Sequence, residues 1–386
     1  MAELQTGRKP VMSRGEKAEG FSFCGELERL LSFAAGCPAS EEAGAAARRR
    51  WDSLAKPLGS LGLLEQAVQE IAALTGRADV ELSDKAVFVF CADNGVVAQG
   101  VSQTNSSVTA AAARQLARRR TSVCRMAERA GCYVIPVDLG ILDFEGAPEM
   151  ESLRAPEGFL SRRVRNGTED FTEGPAMSRE EAAEAVLAGI RLAEEAGKSG
   201  FRLLAAGELG IGNTTTSSAV VSVLLGLPPE EVTGRGAGLS DEGLIRKLNA
   251  IRKGIELNRP DPDDPLDVLS KVGGLDLAGM CGLFLGGALY RIPVLIDGFP
   301  CGAAALLAER LLPGAAGAML ASHVSAEPAG DLLLRELGKR ALIRAEMRLG
   351  EGTGAVAAMP LLDMALAVYK EAYTFQEGGI EQYIPQ

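Results

Sequence analysis

Short apolar runs recur along the chain, and segments whose apolar residues have helical spacing lie between them. The runs cover residues 86–93, 132–140, 201–210, 292–298 and 318–323. None of them alternates apolar and polar positions, which is the pattern of a strand buried on both faces. Such strands, alternating with helices, are typical of βαβ units. We therefore predict an α/β fold in which helices flank a Rossmann-like parallel sheet.

The two ends of the chain have a different pattern. Residues 21–80 and 355–386 contain apolar residues at helical spacing with no strand between them. We predict that these segments form a second, small helical domain, and that residues 81–354 form the large α/β domain with the active site. Residues 1–20 are polar and lack the apolar core of a signal peptide. They are predicted to be a disordered tail.

The most apolar window covers residues 278–296, and its length approaches that of a membrane span. Arg291 and Pro293 interrupt it, and its glycines suit close packing inside a protein. We interpret the window as a buried helix that runs into a buried strand, and we expect no interaction with a membrane.

Most of the apolar runs end in residues that carry polar groups. In open α/β sheets, ligands bind outside the carboxyl ends of the strands. Asp93, Glu208, Asp297 and His323 stand at such ends, so we expect them to face one crevice. The alternative is that these residues only terminate strands, as turn-forming residues commonly do.

Composition limits the chemistry that this chain can perform. His323 is the single histidine, and the seven cysteines are scattered without a Cys-x-x-Cys pair. This pattern predicts reduced thiols in a cytoplasmic protein that uses no metal and no cofactor. The net charge of −11 argues against nucleic acid as a partner. A small phosphate-bearing molecule is compatible with it if backbone N–H groups and a few cations bind the phosphate.

A glycine-rich turn at residues 207–220, GELGIGNTTTSSAV, follows a predicted strand and opens a helix. This arrangement presents backbone N–H groups and the positive end of a helix to an anion. Asn213 and Thr214 are good N-cap residues, and Arg235 or Lys247 could supply a cation. No lysine follows the glycines, so a monophosphate fits better than a nucleoside triphosphate. An ordinary helix cap and solvated surface cations are the alternative.

A second glycine-rich turn, RLGEGTGA, places Glu351 between Gly350 and Gly352. Glycines let the backbone turn sharply, so this carboxylate can point into a cleft and take part in acid–base chemistry. The alternative is a helix C-cap followed by a turn with a solvated Glu351. A long polar loop at 91–110 offers Gln103 and Thr104 as contacts for a heterocycle.

Together these motifs resemble the nicotinate-nucleotide–dimethylbenzimidazole phosphoribosyltransferase family. The resemblance runs from about residue 25 to the end of the chain. It rests on KPLGSLGLLE, ADNGVVAQGVSQTNSSVT, GTEDFTEGPAMSREEA, GELGIGNTT, GRGAGL, VGGLDLAGM, DGFPCGAAAL, SHVSAEP and RLGEGTGA.

This resemblance implies a reaction and a set of roles. Nicotinate mononucleotide and 5,6-dimethylbenzimidazole would give α-ribazole 5′-phosphate and nicotinate, for the lower ligand of cobalamin. It implies a homodimer in which Glu351 is the general base and Glu208 lies near the nucleotide and nicotinate. Residues implied at the phosphate are Gly210, Gly212, Lys247 and Ser325, and those implied at the attacking base are Thr104 and Leu349.

Four positions depart from the common pattern of that family. Asn94 stands where histidine is frequent, Thr104 and Asn105 where Ser-Pro is usual, and Asp331 where histidine is common. The first three lie in the loop expected to touch the attacking base. The reaction class is unaffected by them, whereas the preferred base is left open among dimethylbenzimidazole, benzimidazole, adenine and a phenolic compound.

Three other functions are compatible with the residues to different degrees. The same phosphoribosyl group could be transferred to a different acceptor. A nucleotide-binding regulator could have kept the fold and lost catalysis, although Glu351 and both glycine-rich turns are intact. A dinucleotide oxidoreductase is disfavoured, because no GxGxxG sequence follows any predicted strand.

Overall fold

A computed structural model describes residues 22–34, 39–145 and 148–383 of the protein. Within these residues, six parallel strands form one sheet in the order β3-β2-β1-β4-β5-β6. The strands are β1 (Lys85–Ala92), β2 (Cys132–Gly140), β3 (Leu160–Ser161), β4 (Leu203–Leu209), β5 (Val294–Ile296) and β6 (Met319–Ala321). The predicted α/β fold with a parallel sheet is confirmed. The tail predicted for residues 1–20 lies outside the described residues.

Helices connect and cover these strands. They are α1 (Phe23–Ala34), α2 (Glu41–Ser53), α3 (Leu63–Thr75), α4 (Ser107–Ala117), α5 (Ser122–Ala130), α6 (Arg179–Lys198), α7 (Asn213–Leu225), α8 (Pro229–Val232), α9 (Asp241–Asn258), α10 (Pro265–Val272), α11 (Leu275–Tyr290), α12 (Phe299–Leu311), α13 (Gly330–Glu336), α14 (Thr353–Glu371) and α15 (Phe375–Gly378). Two short 3₁₀ helices lie at Gly95–Gln99 and Ala315–Ala318.

The apolar runs form strands because both faces of the sheet are covered. All eight residues of β1 are buried, and successive side chains point to opposite faces. Phe88 and Phe90 pack in one core, whereas Val87 and Val89 pack in the other. The five predicted runs are found as strands that differ by up to two residues at their ends. The two-residue β3 was missed, because it is too short to form a pattern.

One face of the sheet carries α6, α7 and α10 to α12, and the other carries α3 to α5 and α14. Helices α6 and α11 pack closely, because small residues let their backbones approach. A Cβ added at Gly189 would collide with the Gly279 carbonyl oxygen, and one at Gly282 with that of Val186. The predicted buried helix running into a strand is confirmed as α11 followed by β5.

The helical ends of the chain do not all pack in one place. Helices α2, α3 and α14 lie close to one another, whereas α1 packs against α6. Arg191 of α6 forms an ion pair with Glu26 of α1 at 2.8 Å. The division into a small helical and a large α/β domain stays a prediction. No helix in the described ranges is long and apolar enough to cross a membrane.

The strand order determines where a ligand can bind. Chain connections leave β1 in one direction towards β2 and β3, and in the other towards β4, β5 and β6. A crevice forms at such a reversal, outside the carboxyl ends of the strands. The segments that follow β1, β4, β5 and β6 are therefore the ones placed to build a site.

We predict that Gly189→Ala lowers the free energy of unfolding by about 1–3 kcal/mol, because its methyl group overpacks the contact between α6 and α11. Urea unfolding followed by circular dichroism measures the change. Gly25→Ala in α1 is the matched control, since the nearest atom to its added Cβ would lie 3.9 Å away. Equal stability of Gly189→Ala and the wild type would contradict the close packing of these helices.

Candidate active site

One cleft opens at the carboxyl edge of the sheet. The loops after β4, β5 and β6 line it together with the segment that precedes α14. The lining residues are 101–103, 208–214, 235–237, Leu239, 297–300, His323, Ser325, Glu327, 348–351 and Thr353. Segments that are far apart in sequence meet here because parallel strands end at the same edge.

Three of the four strand-end residues predicted to share a crevice do so, since Glu208, Asp297 and His323 line the cleft. The prediction for Asp93 is wrong. Its buried carboxylate accepts a hydrogen bond from the Leu142 N–H at 2.8 Å. Asp93 therefore links the end of β1 to the loop after β2 instead of facing the cleft.

The loop between β4 and α7 presents the amino end of a helix to the cleft. Gly212 is the cap residue of α7, and its φ of 92° lies in the left-handed region that favours glycine. No described side chain caps this end of α7, so the positive end of the helix dipole is open to an anion. The prediction of Asn213 or Thr214 as the cap is wrong, because the turn requires a left-handed residue there. Both residues still line the cleft, as does Gly210.

Lys247 lies behind this loop and does not line the cleft. Its side chain is fully buried, and its Nζ donates to Thr214 Oγ1 at 2.8 Å and to the Gly234 carbonyl oxygen at 3.2 Å. Burial lowers the pKa of Lys247 to about 8. The cation therefore stands one side chain away from the cleft, since Thr214 comes between them. Ser325, on the loop after β6, is buried and lines the cleft directly.

Glu351 stands in a backbone turn of unusual geometry. The φ angles of Gly350, Glu351 and Gly352 are 90°, 58° and 83°, so three successive residues are left-handed. The turn precedes α14, and the alternative of a helix C-cap is wrong. Glu351 is half-buried, its N–H donates to the Glu208 carbonyl oxygen at 3.2 Å, and its Oε2 accepts from the Val123 N–H at 3.1 Å. Its side chain thus lies between the cleft and the first turn of α5.

Asp297 caps the first turn of α14 from a distant part of the chain. Its Oδ1 accepts from the N–H groups of Gly354 and Ala355 at 2.7 and 3.0 Å, and its Oδ2 accepts from Gly352 at 3.2 Å. Burial raises the pKa of Asp297 to about 6, and these hydrogen bonds oppose the rise. His323 Nδ1 lies 3.9 Å from Oδ1.

Two further carboxylates lie beside residues 210–214, which are called the phosphate loop after the anion predicted to bind there. Glu208 is half-buried, and its Oε2 accepts from Asn213 Nδ2. Burial raises the pKa of Glu208 well above its usual range, whereas the bond from Asn213 lowers it and neighbouring carboxylates raise it. Asp276 is fully buried; its Oδ1 accepts from the Leu277 N–H at 2.9 Å, and its Oδ2 has no partner among the described residues. Burial raises the pKa of Asp276 to about 6.

The residues expected at the attacking base separate into two groups. Gln103 and Leu349 line the cleft, where Gln103 Nε2 donates to the Gly238 carbonyl oxygen and Leu349 is 56% exposed. Thr104 is exposed and does not line the cleft. The chain turns there, with the Thr104 N–H directed at Ser102 Oγ, 3.4 Å away. The structure therefore does not bring Thr104 to the site.

The positions that depart from the family pattern lie in different places. Asn94 is buried beneath the phosphate loop, where its Nδ2 would lie 3.2 Å from a Cβ added at Gly210. Asn105 is exposed, and its Oδ1 accepts from the first N–H of α4 at 3.0 Å. Asp331 pairs with Arg344 at 2.8 Å. None of the three lines the cleft.

Several lining residues received no role from the sequence. Phe299, Pro300 and Glu327 follow the predicted strands 292–298 and 318–323. Their position after the carboxyl ends of strands could have predicted that they line the cleft. Asp276 offered no such signal, because it lies in the first turn of a helix.

Comparison with known proteins assigns the chain to a family. A family model described as phosphoribosyltransferase matches residues 37–380. The nicotinate-nucleotide–dimethylbenzimidazole phosphoribosyltransferase of Acetivibrio thermocellus is 47% identical over 339 residues, which cover 88% of this chain and 94% of that protein. The chain belongs to the nicotinate-nucleotide–dimethylbenzimidazole phosphoribosyltransferase family. The resemblance inferred from the motifs is confirmed.

Other members of this family agree in sequence and in structure. The enzyme of the same name from Chloroflexus aggregans is 45% identical over 346 residues, which cover 89% of this chain and 96% of that protein. The crystal structure of CobT from Thermus thermophilus has a TM-score of 0.82 and 43% identity, and covers 89% of this chain and 100% of that chain. The protein is therefore a phosphoribosyltransferase, a pentosyl-transferring enzyme.

The cleft brings a helix end and a carboxylate together. The amino end of α7, backed by Lys247, favours an anion, and the Glu351 carboxylate lines the same cleft. The two parts are adjacent, because the Glu351 N–H donates to Glu208, whose side chain accepts from Asn213 at the start of α7. Over the residues that the structure covers, no three His, Cys, Asp or Glu side chains are grouped so as to hold a metal ion.

The carboxyl group of Asp276 links stability to pH. Its pKa is raised from 3.8 to about 6, so the folded protein binds this proton more tightly than the unfolded chain does. The contribution of the protonated Asp276 carboxyl group to the free energy of unfolding is fully present below about pH 4. It is lost as the pH rises through 6.

We predict that Asp276→Asn is more stable than the wild type at pH 8, by up to roughly 3 kcal/mol. Asparagine keeps an oxygen for the Leu277 N–H and cannot ionise. The advantage should shrink as the pH falls through 6 towards 4, as urea unfolding at several pH values would show. Asp263→Asn, at an exposed position, is the control. A stability difference that is the same at every pH would contradict the prediction.

Proposed function

We propose that the protein transfers the phosphoribosyl group of nicotinate mononucleotide to 5,6-dimethylbenzimidazole or a related base. The products are α-ribazole 5′-phosphate and nicotinate, and the ribotide serves the lower ligand of cobalamin. One observation carries the proposal: Glu351 and the phosphate loop at 210–214 line the same cleft in a member of this family.

The nucleotide's phosphate binds at the amino end of α7. Gly210 and Gly212 bring the backbone close, and Asn213, Thr214 and Ser325 add polar side chains, all of them lining the cleft. Lys247 contributes its charge from behind Thr214, 2.8 Å from that hydroxyl. An ammonium group and a helix amino end together favour a phosphate dianion.

The chemistry requires one base and no acid. The pyridine nitrogen of nicotinate mononucleotide is already cationic, so nicotinate leaves with the electron pair of the broken C1′–N bond. One ring nitrogen of the incoming base forms the new bond to C1′, and its other nitrogen bears a proton that becomes acidic. Glu351 accepts that proton and stabilises the developing positive charge. Attack opposite the leaving group inverts the β configuration to α.

Much of the rate acceleration comes from holding two heterocycles on opposite faces of one ribose. Glu208 lies on the nucleotide and nicotinate side, and Gln103 and Leu349 lie on the side of the attacking base. Competition of dimethylbenzimidazole, benzimidazole, adenine and a phenolic compound at equal concentrations, followed by analysis of the ribotides, identifies the acceptor. Release of nicotinate that depends on an added base excludes a regulator without catalysis.

A cytoplasmic location and a homodimer belong to the same proposal. The location is supported by the six described cysteines, which are all free thiols, as expected in a reducing compartment. The dimer rests on the family resemblance, and light scattering coupled to size-exclusion chromatography tests it. A monomer at micromolar concentration would remove the dimer from the proposal.

We predict that Glu351→Gln lowers kcat at least ~10²-fold, the usual contribution of a general base, and leaves the protein folded. Steady-state formation of the ribotide measures the effect. Glu346→Gln is the matched control, because Glu346 is exposed, lies in the same segment and also has a left-handed φ of 52°. A kcat near that of the wild type in Glu351→Gln would remove the proposed base.

We also predict that Lys247→Met raises the KM for nicotinate mononucleotide with a smaller change in kcat. The pKa of Lys247 is lowered to about 8, so the KM of the wild type should rise as the pH increases above 8 and the lysine loses its charge. The variant should lack this rise.

Lys253→Met, at an exposed position on the same helix, is the control for the Lys247 variant. Unchanged nucleotide binding in Lys247→Met would show that the phosphate is held elsewhere.

A further inference from the structure

The turn that carries Glu351 needs an external restraint. A left-handed conformation is unfavourable for a residue with a side chain, and Glu351 adopts it with φ of 58°. The glycines on either side add freedom, because they reach many conformations at similar energy. An unrestrained Gly-Glu-Gly segment would therefore direct the Glu351 side chain in many directions.

Asp297 supplies hydrogen bonds where this turn enters α14. Gly352 is the cap residue of α14 and has no side chain with which to cap the helix. Asp297 replaces that cap, since its two oxygens accept from the N–H groups of Gly352, Gly354 and Ala355. Hydrogen bonds from backbone N–H groups to a carboxylate are stronger than those between neutral groups. The positive end of the helix dipole stabilises the carboxylate further.

Other hydrogen bonds also restrain the turn, among them one that Thr353 Oγ1 donates to the Gly350 carbonyl oxygen at 2.8 Å. The Glu351 N–H donates to the Glu208 carbonyl oxygen, and its carboxylate accepts from the Val123 N–H. The turn also lies against β4, because a Cβ added at Gly207 would be 2.7 Å from the carbonyl carbon of Glu351. A substitution cannot remove the two backbone groups, whereas it can remove the carboxylate of Asp297.

We propose that Asp297 is a positioning residue for Glu351, whose buried carboxylate holds the first turn of α14 and so directs the general base into the cleft. This inference rests on the proposed function. Asp297 Oδ1 already accepts two hydrogen bonds and Oδ2 accepts one. Most of the carboxylate's capacity to accept hydrogen bonds is therefore used within the protein. It therefore acts on the reaction through Glu351 and not by touching the substrate.

Asp297→Asn tests this role, because asparagine keeps one oxygen for Gly354 and Ala355 and turns an N–H group towards the N–H of Gly352. We expect kcat to fall roughly 10- to 100-fold, the scale of a misplaced catalytic group, with the KM for nicotinate mononucleotide changed less than about twofold, since the phosphate loop is untouched. Hydrogen exchange of residues 350–355 should become faster.

A double-mutant cycle separates positioning from a direct role. In the Glu351→Gln background, Asp297→Asn should lower kcat by less than about twofold, because residues that act as a unit are not additive. Ser178→Ala is the matched control. It removes the cap of α6 and should affect stability without changing kcat or the exchange of 350–355.

Two results would overturn the inference. One is a raised KM with kcat preserved in Asp297→Asn, and the other is a full additional loss of kcat in the Glu351→Gln background. An inactive wild type or an active Glu351→Gln would instead refute the proposed function. If Asp297→Asn does not fold, Asp297→Ser removes both carboxylate oxygens without placing a donor against Gly352, and the same outcomes apply to it.

Discussion

The close approach of the Glu351 turn to β4 is the constraint on which this site depends. Gly207 makes it possible, because any side chain there would occupy the space of the Glu351 backbone. The contact brings a residue from near the end of the chain to the strand whose following loop forms the anion site. Asp297, at the end of the neighbouring strand β5, then holds the first turn of α14 in place. Strands, loop and helix thus meet around the cleft.

Groups of both charges lie in and behind the cleft of this protein, whose net charge is −11. The carboxyl groups of Glu208 and Asp276 lie beside the phosphate loop, that of Asp297 lies at the start of α14, and all three have raised pKa values. The amino end of α7 and the buried Lys247 behind it favour the proposed phosphate. The carboxylates are kept in place by N–H donors, which limits their repulsion of a bound anion. The arrangement suits an anionic substrate and a proton acceptor within one pocket.

Sequence reasoning found the elements whose signal is local. The apolar runs predicted five strands, because strands buried on both faces are mostly apolar and do not alternate with polar positions, and the two glycine-rich turns were recognised by their glycines. The misses share one cause, which is that the direction of a side chain depends on neighbours remote in sequence. Asp93 turns to Leu142, and Thr104 turns to solvent. Asp276 had no signal, because its burial results from the packing of α11.

The amino-acid sequence by itself determined the α/β class, the parallel strands and the family, since apolar periodicity and long motifs are properties of the chain alone. It also singled out Glu351 and the loop at 207–215 as chemically important. Only the tertiary structure decided that these two segments meet, that Gly212 caps α7 and that Asp297 caps α14. These facts depend on strand order and on contacts between residues remote in sequence, such as the bonds from Asp297 to the start of α14. The pattern of residues along the sequence does not show such contacts.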